Sequence, residues 1–341
     1  MDHRTSPTKA SLKKATKQRS PKPFTCREYT DQPFSVTTSE NGSARSFLDC
    51  FLEDTESSTP CYNVQVIQDF CGAGDSTTPT YIRLDDREHK TKRSRPQPDV
   101  LTIDALRESL ALERFGVKNL PDADYRQILI RNLNPQSLLV LAQTSACHQV
   151  DALRDAFAKH ISCKTSLKVH EQIDGFVTPR LELHLPYLTL REEPAEYADR
   201  FSTQDGEIWM VLPSTTSKLK DDKQSSRVVI REAHISIVLC IWDYSKWVGY
   251  AFSKGRPTEY EEDEDEESII IGDEDAIPKD DIFAPTDDSH DLYADDPVRD
   301  PRKYFLRITD VWIKVALSEY TFLVSNMDTR VQALVLSLIH I

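Results

Sequence analysis

Residues 227–252 read RVVIREAHISIVLCIWDYSKWVGYAF, and their periodicity decides the fold class. Val228, Ile230, Ile235, Ile237, Leu239 and Ile241 alternate with other residues in the manner of a strand whose side chains point to opposite faces of a sheet. A tight polar turn, Asp243-Tyr244-Ser245-Lys246, separates that run from Trp247–Phe252, so the two segments predict an antiparallel pair. Upstream, Leu167 and Val169, the run Leu181, Leu183, Leu185 and Tyr187, and Ile208–Leu212 carry the same period. Glu196–Phe201 reads as a short helical turn.

Before this block of strands the period is helical. Ile103, Leu106, Leu110, Leu112 and Phe115 recur at helical spacing behind Thr102 or Asp104 as caps. A second helix is expected over 122–132, with Tyr125, Ile128 and Leu129 on one face. A third opens at Pro135, a favoured first-turn residue. A fourth spans 145–162, where Val150, Leu153, Phe157 and Ile161 lie three and four apart. Helices followed by strands indicate α+β: a helical layer, then a mostly antiparallel sheet. Residues 24–99 read as a weaker region, with strands at Tyr62–Phe70 and Thr80–Leu84. A final helix starts at Pro301, with Phe305, Ile308, Trp312, Val315 and Phe322 on one stripe. The predicted divisions are therefore 1–23, 24–99, 100–254, 255–300 and 301–341.

The 341 residues carry a formal net charge of −14, but the charge is local. Between Glu259 and Asp296 stand 18 acidic residues and one Lys, leaving 41 basic and 38 acidic residues elsewhere. A nearly neutral body with an acidic, disordered linker (255–300) argues against a nucleic-acid-binding surface. No apolar run is long enough to span a membrane, and the N-terminus lacks the apolar core of a secretory signal. Seven widely spread cysteines read as reduced thiols, which places the chain in cytosol or nucleus. Lys13, Lys14, Lys17 and Arg19 in a basic disordered tail, and Lys90, Lys92, Arg93 and Arg95 further on, are similar to nuclear localisation signals; solvated linkers are the plain alternative.

No catalytic constellation emerges. Cys71-Gly72-Ala73-Gly74-Asp75 lacks the Lys-Ser/Thr ending of a phosphate loop. Cys50, Cys61 and Cys71 are too widely spaced for the usual zinc pairs, and no cofactor is indicated. His184, on the polar parity of its strand, and His234, opening an apolar one, read as structural histidines without motif partners. Trp242, Tyr244, Trp247, Tyr250 and Phe252 have only Lys246 and Lys254 nearby, so they read as core rather than a base-stacking platform. One binding motif stands out. Ser268, Ile269, Ile270 and Ile271 lie between Glu261–Glu267 and the acidic Asp273, Glu274 and Asp275, the pattern of a SUMO-interacting motif. Such a segment adds as a strand to a partner's sheet edge while its carboxylates meet basic residues beside it.

Three segments carry a family resemblance: Leu181–Tyr187, His234–Phe252 with its Trp247-Val248-Gly249-Tyr250, and Asp300–Leu306. With the helical block ending at Gln149–His160, they resemble a group of filamentous-fungal proteins labelled CorA-like magnesium transporter proteins, over roughly residues 100–325. The resemblance implies a cytoplasmic domain leading into a stalk-like helix from Pro301. It brings no pore or metal residue, since the chain contains no Gly-Met-Asn. The leading expectation is a non-enzymatic interaction or regulatory protein whose acidic linker docks a ubiquitin-like modifier. An accessory magnesium-transporter protein that oligomerises through the terminal helix is the alternative.

Overall fold

The structure, a computed structural model, describes residues 47–52, 64–73, 79–170, 179–194, 208–212, 226–254, 281–285, 292–294, 298 and 300–339. Its elements are α1 (Phe47–Leu52), α2 (Val64–Gly72), β1 (Tyr81–Arg87), α3 (Ile103–Ala111), β2 (Tyr125–Arg131), α4 (Pro135–Thr144), α5 (Val150–Ile161), β3 (Ser166–His170), β4 (Arg180–Pro194), β5 (Ile208–Leu212), β6 (Ser226–Ile241), β7 (Trp247–Lys254) and α6 (Pro301–Ile339). The class is α+β. Seven strands form one sheet in the order β1-β2-β7-β6-β4-β3, with β5 also on β6. Every pairing is antiparallel except β2 with β7, which run parallel from Tyr125 beside Trp247 to Arg131 beside Ser253.

Strand parity divides the molecule into layers. Even-numbered residues of β2, β6 and β7, among them Ile128, Val238, Cys240, Val248, Tyr250 and Phe252, form one core with the helices α1–α5. Odd-numbered residues, including Leu181, Ile237, Leu239, Trp247 and Ala251, face α6 and the segment Ile282–Ala284. The sheet is thus covered on both faces. Local signals set the helix starts: Thr102 accepts a hydrogen bond from the Ala105 amide, and Asn134 with Ser137 closes a reciprocal capping box ahead of Pro135.

Four sequence expectations need correction. The helix expected over 122–132 is instead a strand, β2, at Tyr125–Arg131. Val64–Gly72 is a helix whose Ile67 is buried, rather than a strand. The boundary expected at residue 100 cuts through the core, because β1 pairs with β2 over seven residues and Phe51 and Leu52 are buried with α5. The expected acidic linker also holds core residues: Asp281, Ile282, Phe283, Ala284 and Leu292 are all buried. Phe283 lies so close over Gly249 that a Cβ there would meet its ring at 2.8 Å. The Glu196–Phe201 turn lies outside the described residues.

α6 begins at Asp300, whose side chain accepts from the Arg302 and Lys303 amides. Tyr304, Phe305 and Ile308 are buried in the second core. Farther along, Leu323 and Met327 pack on a small cluster of Leu190, Leu212 and Ile230. The helix spans 39 residues, close to 58 Å at about 1.5 Å per residue. Phe322, expected on the packed stripe, is 53% exposed because a 3.6-residue turn carries it away from that stripe.

Candidate functional site

Sequence reasoning singled out His184 and His234 separately, and the fold brings them together with His160. The even face of β4, which carries His184, looked polar in the sequence but is covered by α5, so His184 is fully buried. All three imidazoles surround Ser236. His160 Nδ1 and His184 Nδ1 lie 2.9 and 2.8 Å from its Oγ, and His234 Nε2 lies 3.4 Å away. His234 Nδ1 is 3.2 Å from the carbonyl oxygen of His160.

That last contact fixes the proton arrangement. A carbonyl only accepts, so His234 carries its proton on Nδ1 and offers a lone pair at Nε2. Ser236 donates its single hydroxyl proton there and accepts from the Nδ1–H groups of His160 and His184. In this arrangement His234 is neutral, and burial disfavours the charged form of His160 and His184. Burial holds His160 well below the ordinary histidine range, brings His184 down to about 3 and His234 to about 4, with neighbouring Lys159, Arg180 and Lys254 adding to the effect. A hydroxyl that donates once and accepts twice has no lone pair left to attack a substrate, and Ser236 is itself fully buried.

Beside this cluster lies a buried ionic group. Lys159 Nζ donates to Asp155 Oδ2 at 2.7 Å and to Glu182 Oε1 at 2.5 Å. Arg180 Nη2 also reaches Asp155 Oδ2, at 2.9 Å, and Ser166 donates to Glu182. Burial alone would raise Glu182, but hydrogen bonding and charge from Lys159, with Arg180, bring it down to about 2. Burial dominates at Asp155, whose carboxyl is pushed up and whose Oδ1 has no partner among the described residues. Asp155, His170 and Glu182 place ligand atoms within 4.8 Å of one another, a spacing suited to a cation. The ammonium of Lys159 already sits between the two carboxylates, so a metal would have to displace a fixed cation. The group reads as an internal ion pair.

On the opposite face, Asp281 is clamped by Tyr304 O–H at 2.7 Å, the Phe283 amide at 2.9 Å and Gln127 Nε2 at 3.1 Å. Trp312 Nε1 donates to the Phe283 carbonyl. Stacking of Tyr125 on Trp247 and of Trp247 on Tyr304 extends this contact. These bonds fix the first turns of α6 to the sheet.

Along α6 the sequence positions Ile313, Leu317, Tyr320, Val324, Met327, Val331, Leu334 and Leu338 recur at alternating spacings of four and three, the a/d pattern of a coiled-coil seam, with Met327 also packed on the cluster of Leu190, Leu212 and Ile230. Six of them are substantially exposed: Ile313 40%, Leu317 60%, Tyr320 40%, Val324 63%, Val331 53% and Leu334 56%. Charge is scarce around them. From Ala316 to Ile339 the only charged residues are Glu319, Asp328 and Arg330, and Glu319 is held by Arg191 in a paired contact of 2.6 and 3.0 Å. The sequence contained this repeat, but the packed stripe that starts at Phe305 masked it.

Of the residues singled out for targeting, Lys90 and Arg93 are exposed and Lys92 half-buried, whereas Arg95 is buried. Arg95 donates to the carbonyls of Pro121, Glu113 and Arg114, so it ties loops together and cannot be read by a receptor in this fold. Lys13, Lys14, Lys17 and Arg19, and the motif Ser268, Ile269, Ile270, Ile271, Asp273, Glu274 and Asp275, lie outside the described residues. No described helix is long and apolar enough to cross a membrane. Comparison with family models, with curated proteins and with solved structures finds no match to this chain.

Proposed function

We propose that the chain is a non-enzymatic interaction protein that assembles with a second copy of itself through α6. The exposed a/d seam carries this reading. From Ile313 to Leu334 it forms a strip about 32 Å long and about 10 Å wide, roughly 300 Å² of apolar surface, the size of patch that often marks an interaction site. A seam of this kind is self-complementary about a two-fold axis, so another copy of the same helix is the occupant that fits it. Val324 and Val331 at a, with Leu334 at d, favour two strands over higher orders. Low charge along the helix removes the repulsion that would keep copies apart.

Sedimentation velocity tests this. The intact chain sediments as a dimer at tens of micromolar, and Val324→Glu with Val331→Glu produces a monomer with an unchanged circular dichroism spectrum. Burying two unpaired carboxylates per helix weakens association by more than about 100-fold. An intact chain that stays monomeric, or a dimer indifferent to the substitutions, contradicts the proposal. A pentamer whose assembly responds to magnesium would instead favour the reading as an accessory CorA-like protein, to which the long helix leaving an α+β body lends support.

Docking of a ubiquitin-like modifier remains part of the interaction reading and rests on sequence alone. A peptide covering Glu261–Ile277 is expected to shift the modifier's amide resonances on NMR titration, and replacing Ile269, Ile270 and Ile271 by Ala abolishes the shifts. Shifts that survive the triple replacement remove this part of the proposal.

A further inference from the structure

A cleft of about 400 Å³ opens between the C-terminal turns of α3 and α4 and the even faces of β2 and β7. Its walls are apolar, with Leu110, Leu141, Ile128 and Val248 prominent among them, and its polar end is formed by Arg114, Arg126, Gln149 and Tyr250. That composition, an apolar body with a few convergent polar groups, is typical of small-molecule sites, which run from about 300 to 1,000 Å³.

Gln149 gives the cleft its chemistry. It is 4% exposed and lines the cavity. Its Oε1 accepts from Tyr250 O–H at 2.8 Å and from the Ala146 amide at 3.3 Å. Those two donors fix the orientation of the amide, because the oxygen must be the end they meet. The Nε2 end is then left with two N–H groups and no acceptor among the described residues. That end opens into the cleft, where a convergent polar group on an apolar wall is the usual handle of a small-molecule site. Two buried guanidinium groups, Arg114 and Arg126, stand in the wall, and Glu113 lies exposed at its edge. Arg126 binds Asp86 through two 2.7 Å contacts, and Arg114 is held by the backbone carbonyls of Ala123, Asp124 and Trp247. These bonds lock both guanidinium groups in position, so their positive field is fixed in the wall.

We infer that this cleft binds a small molecule with a carboxylate head and an apolar body, the head accepting from Gln149 Nε2 in the field of Arg114 and Arg126 and the body lying against Leu110, Leu141 and Val248. A carboxylate supplies the acceptor oxygens that the amide lacks, and the aliphatic walls exclude a wholly polar anion.

The test is a calorimetric titration of the full-length protein with sodium octanoate and, in parallel, with octan-1-ol. Octanoate is expected to bind saturably and at least about tenfold more tightly than the alcohol. Gln149→Glu keeps an oxygen for Tyr250 but replaces the two donors with a negative charge. It should weaken octanoate by more than about tenfold while leaving octanol unchanged, and the retained octanol binding shows that the cleft is still folded. If that variant does not fold, Gln149→Met removes the donors without adding charge and should bring octanoate down to the affinity of octanol. Equal binding of the two probes, octanoate binding indifferent to these substitutions, or no binding of either probe to the intact chain would each overturn the assignment.

Discussion

On lowering the pH from 7 to 4.5, this protein is expected to lose about 5 kcal/mol of folding stability through His184 and His234, a large part of the stability of an ordinary domain. Their buried imidazoles are responsible. In the unfolded chain each titrates near 6.5, whereas in the fold His184 is depressed to about 3, His234 to about 4 and His160 also well below normal. The sign follows from proton counting: below pH 6.5 the unfolded state binds protons that the native state refuses. Stability is therefore fully present above that value and is lost as pH falls toward the folded values. His184 and His234 each contribute roughly 2 to 3 kcal/mol at pH 4.5, and His160 adds in the same direction.

The neighbouring carboxylates do not produce this loss. Glu182, depressed to about 2, gives up its contribution only below its unfolded value near 4.5. Asp155 is raised by burial and acts in the opposite direction, offsetting part of the loss. Urea unfolding as a function of pH checks the account. His184 and His234 predict a slope near pH 5 of about 2.5 kcal/mol per pH unit, equivalent to two protons, to which His160 adds and from which Asp155 subtracts. A slope of one proton or fewer would mean that the rings are not held in the uncharged form.

Replacing Lys159 by Met is expected to cost about 3 to 5 kcal/mol, because it leaves two buried carboxylates with only Arg180 between them and Glu182 poorly compensated. Arg180 remains at 2.9 Å from Asp155 but only at 4.0 Å from Glu182. In a chain of 341 residues the change lowers the melting temperature by about 4 to 7 °C. Adding Asp155→Asn and Glu182→Gln to the variant should recover most of the loss, since the harm lies in the uncompensated charges rather than in the missing side chain. A single variant within about 1 kcal/mol of the original protein would show that Lys159 does not neutralise the pair.

The strands between Leu181 and Phe252 were legible in the sequence because each alternates and each ends in turn residues. β2 was not. Tyr125-Arg126-Gln127-Ile128-Leu129-Ile130-Arg131 is buried on both faces, between β1 and a parallel β7, so it lacks the alternation that marks a half-exposed strand. α2 failed in the opposite sense: Val64 and Val66 mimic a period of two although the segment packs as a helix through Ile67. Asp281–Ala284 was hidden by charge, since a stretch read as acidic by composition also supplies the ring that fills the space over Gly249.

The buried polar site was only partly visible. His184 and His234 stood out one at a time, but Ser236 and His160 join them only when α5 comes to rest on β4 and β6, and Lys159 reaches Glu182 across 23 residues of sequence. The seam on α6 was accessible in principle, as eight apolar positions at spacings of four and three. It became distinguishable from the packed stripe only when the structure showed which side of the helix meets the sheet.

Amide hydrogen exchange along α6, measured over a hundredfold range of protein concentration, tests self-assembly most directly. If two copies share the seam, protection of residues 324–336 rises with concentration, while that of the buried turn at Tyr304–Ile308 stays constant. Protection that is the same at every concentration would contradict the account.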